Sequence, residues 1–267
     1  MKRLAIVAGT GQFPYLVAQE AKKQGYYILV CPIIGHTTED FTDIADCIIP
    51  IHIGKLNENI SILHKHNIDI FCAAGAINKS KALSGLPDLR MTKLLFSSIA
   101  KGDDALLRNI LQEIEREGFT IVQPAHFLPS LRVPKGLLTH SPLSKEIEEQ
   151  MHYGVPIIRS IGTFDIGQCI VVHNGMVIAI EAIEGTDATL HRAGTLCPHG
   201  CVAIKIAKPG QDLRVDLPSI GKHTIEILIE HRYTALLVEA DRTLFFDMEE
   251  SIALANKHNL TIFGITF

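Results

Sequence analysis

The 267-residue chain has no run of about twenty apolar residues, so nothing in it reads as a helix able to span a bilayer. Long biased tracts and internal repeats are also missing. With 47% hydrophobic and 20% charged residues, their absence excludes a disordered or fibrous chain and implies a packed globular protein. There is no basic excess. The formal net charge is −4 at pH 7 and the pI is about 6.3, so no nucleic-acid partner is expected. MKRLAIVAG runs directly into a strand and a glycine turn rather than a secretory leader. The expected location is therefore the reduced cytoplasm, with peripheral contact at the inner membrane left open.

Cysteine is present but unpaired by pattern. Cys31 and Cys72 fall in apolar strand-like runs, where the thiol acts as a small hydrophobe. Cys197-Pro-His-Gly-Cys201 is the one tight cluster, but a structural zinc needs four ligands and no second pair lies nearby. No role is assigned to it.

The first half alternates. RLAIVAG, YYILVCPI, IDIFCAAGAI and FTIVQPA read as four buried strands. Between them FPYLVAQEAKKQG, LNENISILHKH, TKLLFSSIA and DDALLRNILQEIEREG have helical spacing. Continuous apolar strands alternating with amphipathic helices imply a parallel sheet covered on both faces. HFLPSLRVPKGLLTHSPLS, with Pro129, Pro134 and Pro142, then breaks the periodicity as a linker. Beyond it, two strand-like runs flank Asn174-Gly175, a strong hairpin signal. CVAIKIAK, TALLVEA, RTLFFDM and TIFGITF mix with the helical patterns HTIEILIEHR and MEESIALANKHN. The stretch from Lys145 to Gly167 receives no element. The fold class expected is α/β, a Rossmann-like N-terminal domain over 1–132 followed by an α+β domain over 133–267.

Gly9-Thr10-Gly11 follows the first strand and opens the first helix, where backbone N–H groups meet phosphate in Rossmann-type units. The dinucleotide fingerprint needs a third glycine, but Pro14 occupies that position; it also needs an acid closing strand two, which ends CPIIGH. A mononucleotide ligand fits better than NAD(P), and a plain tight turn explains the glycines as well. Gly75, Asn78 and Lys79 lie at the same carboxyl edge of the sheet, after strand three. Asp103 and Asp104, after Lys101-Gly102, suit helix capping and dipole roles.

In the second half, Glu181, Glu184, Gly185, Thr186 and Asp187 crowd the end of the hairpin, and Lys205 and Lys208 lead into AKPGQDLRVDLPSIG. Carboxylates at Glu184, Asp187, Asp212 and Asp216 suit a hard divalent cation, Mg²⁺ or another such as Mn²⁺. Arg214 and Lys208 suit phosphate oxygens. A solvated salt-bridge loop accounts for the same residues without any chemistry.

LAIVAGTGQFP, KGDDALLR, DIGQ, EGTDATL and KPGQDLRVDLPSIG, in that order, resemble the LpxI-type UDP-2,3-diacylglucosamine diphosphatases. The resemblance implies Mg²⁺-dependent hydrolysis of UDP-2,3-diacylglucosamine to 2,3-diacylglucosamine 1-phosphate and UMP in lipid A biosynthesis, with water attacking the β-phosphorus. It also implies a nucleotide-holding N-terminal domain and an acyl-holding C-terminal domain. It places the key aspartate of R-x-D-x-P at Asp216, with Asp212, Arg214, Asp187, Glu184 and Lys208 as further catalytic candidates, and Asp216, Asp187 and Glu184 as metal ligands. Substrate-binding roles fall on Gly9, Thr10, Gly11, Gln12, Gly75, Asn78, Lys101, Gly102, Asp103, Asp104, Thr186 and Gln211. The partner expected is the UDP-linked diacylated glucosamine, and a homodimer is the default assembly. The competing classes are an NAD(P)-dependent oxidoreductase and a module that binds the nucleotide-lipid without cleaving it.

Overall fold

The computed structural model describes residues 1–77, 86–98, 103–214 and 217–267, with the side chains of 103–105 outside the description. The chain divides into two compact units. One is Met1–Pro129 together with Asp212–Asp216, of which 212–214 are described; the other is Ser130–Gln211 with Leu217–Phe267.

Among the described residues the first unit holds a five-stranded sheet. Its strands are β1 (Arg3–Ala8), β2 (Tyr27–Pro32), β3 (Cys47–Ile48), β4 (Ile70–Ala74) and β5 (Thr120–Ile121). All pairs are parallel and the order is β3-β2-β1-β4-β5, the doubly wound order in which a crevice opens beside β1. The four expected strands are present, and β3 is an addition. At two residues it is too short to show a period, and Asp46 fixes it by accepting from the Ile28 backbone N–H at 2.8 Å. Helices α1 (Phe13–Lys23), α2 (Leu56–Lys65), α3 (Leu89–Ser98) and α4 (Asp103–Arg116) flank the sheet. Pro14 sits in the first turn of α1, where its missing N–H costs nothing. Leu56, Ile60 and Leu63 of α2, with Met91, Leu111 and Ile114, cover one sheet face through Leu29 and Phe71.

The second unit is built on a six-stranded mixed sheet in the order β6-β13-β11-β9-β7-β8. These strands are β6 (Gly136–Leu137), β7 (Cys169–His173), β8 (Met176–Ile180), β9 (Val202–Lys205), β11 (Ala235–Glu239) and β13 (Thr261–Ile265). Strands β9, β11 and β13 run parallel, whereas the β7–β8 hairpin and β6 are antiparallel. Asn174 and Gly175 have φ of 48° and 70°, as a tight primed turn requires. Alternation sorts the central strands cleanly. Val202, Ile204, Ala235 and Leu237 enter one core, and Ala203, Leu236 and Val238 enter the other.

Each core has its own helical cover. Helices α6 (Thr186–Leu196), α7 (Lys222–Glu230) and α8 (Met248–Lys257) supply Leu190, Ala193, Ile225, Leu228 and Ala255 to the core that contains Ala203, Leu236 and Val238. The opposite face is closed by α5 (Lys145–Gly162), through Ile147 and Ile158. Sequence pattern assigned no element to that stretch, and Pro156 inside it is the reason. Ser144 caps α5 by accepting from the Ile147 N–H at 3.4 Å. RTLFFDM also departs from expectation. Only β12 (Leu244–Phe245) is strand, paired with β10 (Ser219–Ile220) in a separate two-stranded sheet. No helix among the described residues is long and apolar enough to cross a membrane.

Leu237, fully buried in the core under α5, is the most informative position for testing this layering. Leu237→Ala should cost about 2–5 kcal/mol in a urea-unfolding titration. The exposed Leu196→Ala should stay within about 0.5 kcal/mol of the parent. Equal effects would contradict the layer assignment.

Candidate functional site

In the first unit, the turn between β1 and α1 is sewn to the end of β4. Gly9 N–H donates to Ala74 O at 2.8 Å and Thr10 N–H to Ala76 O at 2.9 Å, while Ala76 N–H returns to Thr10 O at 3.2 Å. A Cβ on Gly9 would lie 2.4 Å from Ala76 O, and Gly75 has φ +89° with Thr10 O 2.7 Å from where its Cβ would be. These glycines are demanded by backbone contact, so the sheet-edge reading of Gly9 and Gly75 has a structural basis apart from any ligand. Gly11 N–H is already engaged, donating to Glu39 Oε1 at 2.6 Å. Burial pushes the Glu39 carboxyl up, but hydrogen bonds from the Gly11 and Thr38 backbone outweigh it and hold the group below its ordinary value. A carboxylate thus stands where the helix N-terminus offers an anion position. Gln12 occupies the N-cap of α1 without a side-chain cap bond.

In the second unit, a polar cleft of about 390 Å³ is lined by Glu184, Thr186, Asp187, Lys205, Ser219, Gly221 and their neighbours. Its geometry follows from two glycines. Gly185 and Gly221 are the N-caps of α6 and α7, and neither has a side chain to cap its helix. Two sets of first-turn N–H groups, without intrahelical acceptors, therefore end at one cleft.

Lys205 closes β9 and is only 6% exposed. Its Nζ donates to Ser219 O at 2.7 Å and to Thr186 Oγ1 at 3.0 Å, and the Thr186 hydroxyl donates in turn to Glu181 Oε1 at 3.1 Å. Glu181 is 7% exposed and its Oε2 has no protein partner. Burial raises its pKa, and the Lys205 charge opposes that rise. Asp187 faces the cleft half-exposed, with Oδ2 3.8 Å from His223 Nε2. Glu184 is more committed. Its Oε1 accepts from Arg192 at 2.6 Å and Thr189 at 3.3 Å, and its Oε2 from the Ala182 N–H at 3.1 Å.

The loop AKPGQDLR divides between the units. Lys208 pairs with Asp165, and its backbone N–H donates to Gln211 Oε1 at 2.9 Å. In the first unit, Arg214 grips Asp212 with Nε and Nη2 at 2.8 and 2.7 Å and reaches Glu115 with Nη1 at 2.5 Å. That guanidinium, more than any other cause, holds the Asp212 carboxyl below its ordinary value. The solvated salt-bridge reading is thus satisfied for Asp212 and Arg214 themselves, and a phosphate would have to compete with the bidentate pair. Asn78, Lys79, Lys101, Gly102 and Asp216 lie outside the described residues, as do the side chains of Asp103 and Asp104.

The structure thus gathers Glu184, Thr186 and Asp187 at one cleft and adds Lys205, Ser219, Gly221 and Thr224, to which sequence reasoning gave no site role. One signal for Lys205 was present: a lone cation ends the apolar run CVAIK. Nothing local marks Gly221 as a second helix cap at the same place.

Family models described as the LpxI N-terminal domain and the LpxI C-terminal domain match residues 3–131 and 134–263. The UDP-2,3-diacylglucosamine pyrophosphatase LpxI of Caulobacter vibrioides is 33% identical over 279 residues, covering 99% of this chain and 98% of its own. Among solved structures, a UDP-glucose-4-epimerase from Stenotrophomonas maltophila aligns with 91% of this chain and 79% of its own, at 12% identity and TM-score 0.30. The N5-carboxyaminoimidazole ribonucleotide synthetase of Thermotoga maritima aligns with 69% of this chain and 42% of its own, at 17% identity and TM-score 0.26. Structural likeness at that level carries no argument.

Because the Glu181 pKa is raised in the folded state, the fold binds a proton there that the unfolded chain has released. The stability this contributes is present below the ordinary value of 4.5 and is lost as pH rises through the folded-state value. Glu181→Gln should therefore gain stability relative to the parent as pH is raised from about 4 to about 8, read by urea unfolding at each pH. A constant difference across that range would show that Glu181 does not titrate as its burial demands.

Proposed function

The chain belongs to the LpxI family, and on that premise we propose that it hydrolyses UDP-2,3-diacylglucosamine at the pyrophosphate, releasing 2,3-diacylglucosamine 1-phosphate and UMP in lipid A biosynthesis. The observation that carries this reading is the cleft beside Lys205, where a buried ammonium and two uncapped helix N-termini present donors to one volume. A diphosphate is the kind of group such a cluster favours: it is polyanionic, and its oxygens accept from backbone N–H and ammonium alike. Among the described residues this cleft supports the phosphate part of the substrate, while Gly9, Thr10, Gly11 and Gly75, with Asn78, are proposed for the nucleotide.

Each side chain then has a chemical task. Lys205 would counter the charge that gathers on the phosphate oxygens, and Thr186 would hold Lys205 and Glu181 in register. Asp216, placed by the R-x-D-x-P segment, would orient the water that attacks the β-phosphorus. Arg214 is proposed to reach phosphate only by exchanging the Asp212 bond, with Asp212 otherwise its positioning residue. Lys208 and Gln211, bonded to one another across the Pro209-Gly210 turn, would shape the entry to that segment.

The donor chemistry fits Mg²⁺ or Mn²⁺. Such ions take hard oxygen ligands and are commonly held by one or two carboxylates together with substrate phosphates. Asp187 is a half-exposed carboxylate at the cleft, so Asp187 and Asp216 are proposed as ligands, and Glu184 joins them only on releasing Arg192. When bound, the cation would neutralise phosphate charge and polarise the bond to be broken.

The test is UMP release by the purified full-length protein from UDP-2,3-diacylglucosamine with Mg²⁺. Lys205→Met and Asp216→Asn should each lower turnover by about 100-fold or more while the unfolding midpoint shows that the variants fold. EDTA should abolish the rate and excess Mg²⁺ should restore it. Binding of the UDP-lipid with no UMP formed over hours would replace this proposal with that of a non-catalytic module. A rate indifferent to EDTA would remove the metal.

A further inference from the structure

The C-P-H-G-C segment takes no part in the reading above, and the fold supplies the ligand its sequence lacks. Cys197 ends α6 and Cys201 immediately precedes β9, so the helix-to-strand turn brings the two thiols together. His173, at the end of β7 twenty-four residues before Cys197 in the sequence, completes a group whose ligand atoms all lie within 4.8 Å of one another. Around a tetrahedral Zn²⁺ with Zn–S near 2.3 Å and Zn–N near 2.0 Å, sulfur–sulfur and sulfur–nitrogen separations are about 3.5–3.8 Å. Rotations of about an ångström would close the group on an ion.

Three further observations favour a metal over a chance cluster. The imidazole is already oriented. Its Nδ1 faces the Gly200 carbonyl at 3.0 Å, and a carbonyl can only accept, so Nδ1 carries the proton and Nε2 keeps the lone pair. The Asn174 amide nitrogen, 3.0 Å from Nε2, donates to that lone pair, and a bound ion would take its place. The turn is also held at both ends, by Cys197 N–H to Ala193 O at 2.8 Å at its start, and by Gly200 N–H to Arg232 O at 3.1 Å and Thr234 N–H to Cys201 O at 2.8 Å at its close. Finally, the charges cancel. Two thiolates and a neutral imidazole leave a bound Zn²⁺ with no net charge, as suits a place where Cys201 is fully buried and Cys197 and His173 are half-buried.

We propose that His173 Nε2, Cys197 Sγ and Cys201 Sγ form a three-ligand Zn²⁺ site with a fourth position open to solvent. Binding releases the two thiol protons and forms two zinc–sulfur bonds and one zinc–nitrogen bond, with no change of oxidation state. The ion ties the C-terminal end of α6 to the β7–β8 hairpin. The opposite end of that helix, about 16 Å away, carries Thr186 and Asp187. The site is therefore a clamp behind the cleft rather than part of it. A second group, His191, Glu230 and His231, lacks sulfur and would give no thiolate signature.

The probe is Co²⁺, added to the reduced, metal-stripped full-length protein, because thiolate ligation gives a charge-transfer band that nitrogen and oxygen ligands do not. One Co²⁺ per chain should bind with that band and be displaced by Zn²⁺. Cys197→Ser, at a half-buried position that a hydroxyl tolerates, should lower the band by about half or more, and His173→Gln should weaken Zn²⁺ binding by at least about tenfold. No charge-transfer band, a band of unchanged intensity in Cys197→Ser, or cobalt lost only in His191→Gln would each overturn the proposal. The readout is metal binding itself, so its failure would leave the diphosphatase reading untouched.

Discussion

A buried ammonium at the end of a central strand organises the second unit. Lys205 cannot sit 6% exposed without acceptors, and the chain provides them from two separate segments: Ser219 O after the AKPGQDLRVDLP loop and Thr186 Oγ1 at the start of α6. Those bonds decide where both segments lie, so they also decide where the helix N-termini at Gly185 and Gly221 meet. Glu181 balances the charge only in part, being itself buried with one oxygen lacking a protein partner. The result is a polar cleft where two helix N-termini and an ammonium stand beside the carboxylates of Glu184 and Asp187.

The first unit solves its backbone problem differently. At the crevice beside β1, the amides of Gly9 and Thr10 go to the β4 edge and that of Gly11 goes to Glu39. The Glu39 carboxylate at this crevice is held ionised by the Gly11 amide together with the backbone N–H groups of Thr38 and Glu39.

Much of this was legible in the sequence, for reasons that can be named. The parallel order of the first sheet follows from continuous apolar strands separated by amphipathic helices, and the β7–β8 hairpin follows from Asn174-Gly175, since that pair accepts positive φ at both positions. Helix α5 was hidden by Pro156, although its Ser144 cap and the buried Ile147 and Ile158 were in place. Strand β3 was too short to show a period, and β12 carries apolar residues that look like a longer strand but pair for only two positions.

The site divides along the same line. Residue type and local spacing named the candidates: the acids of EGTD, the arginine and aspartates of the QDLRVD loop, and the glycine turns. Spacing alone could not say which of these groups would satisfy one another. Asp212 with Arg214, Glu184 with Arg192, and Glu39 with Gly11 are pairings of side chains whose approach is set by packing. The long-range meetings, of Lys205 with Ser219 and of His173 with the two cysteines, exist only once β7 and β9 are neighbours in the sheet or a loop returns to its edge. Sequence determines the inventory of charges and the local turns because both are written within a few residues. Tertiary structure alone decides which charges are spent on the fold and which remain for a ligand, because burial and hydrogen-bond partners are properties of the assembled sheet.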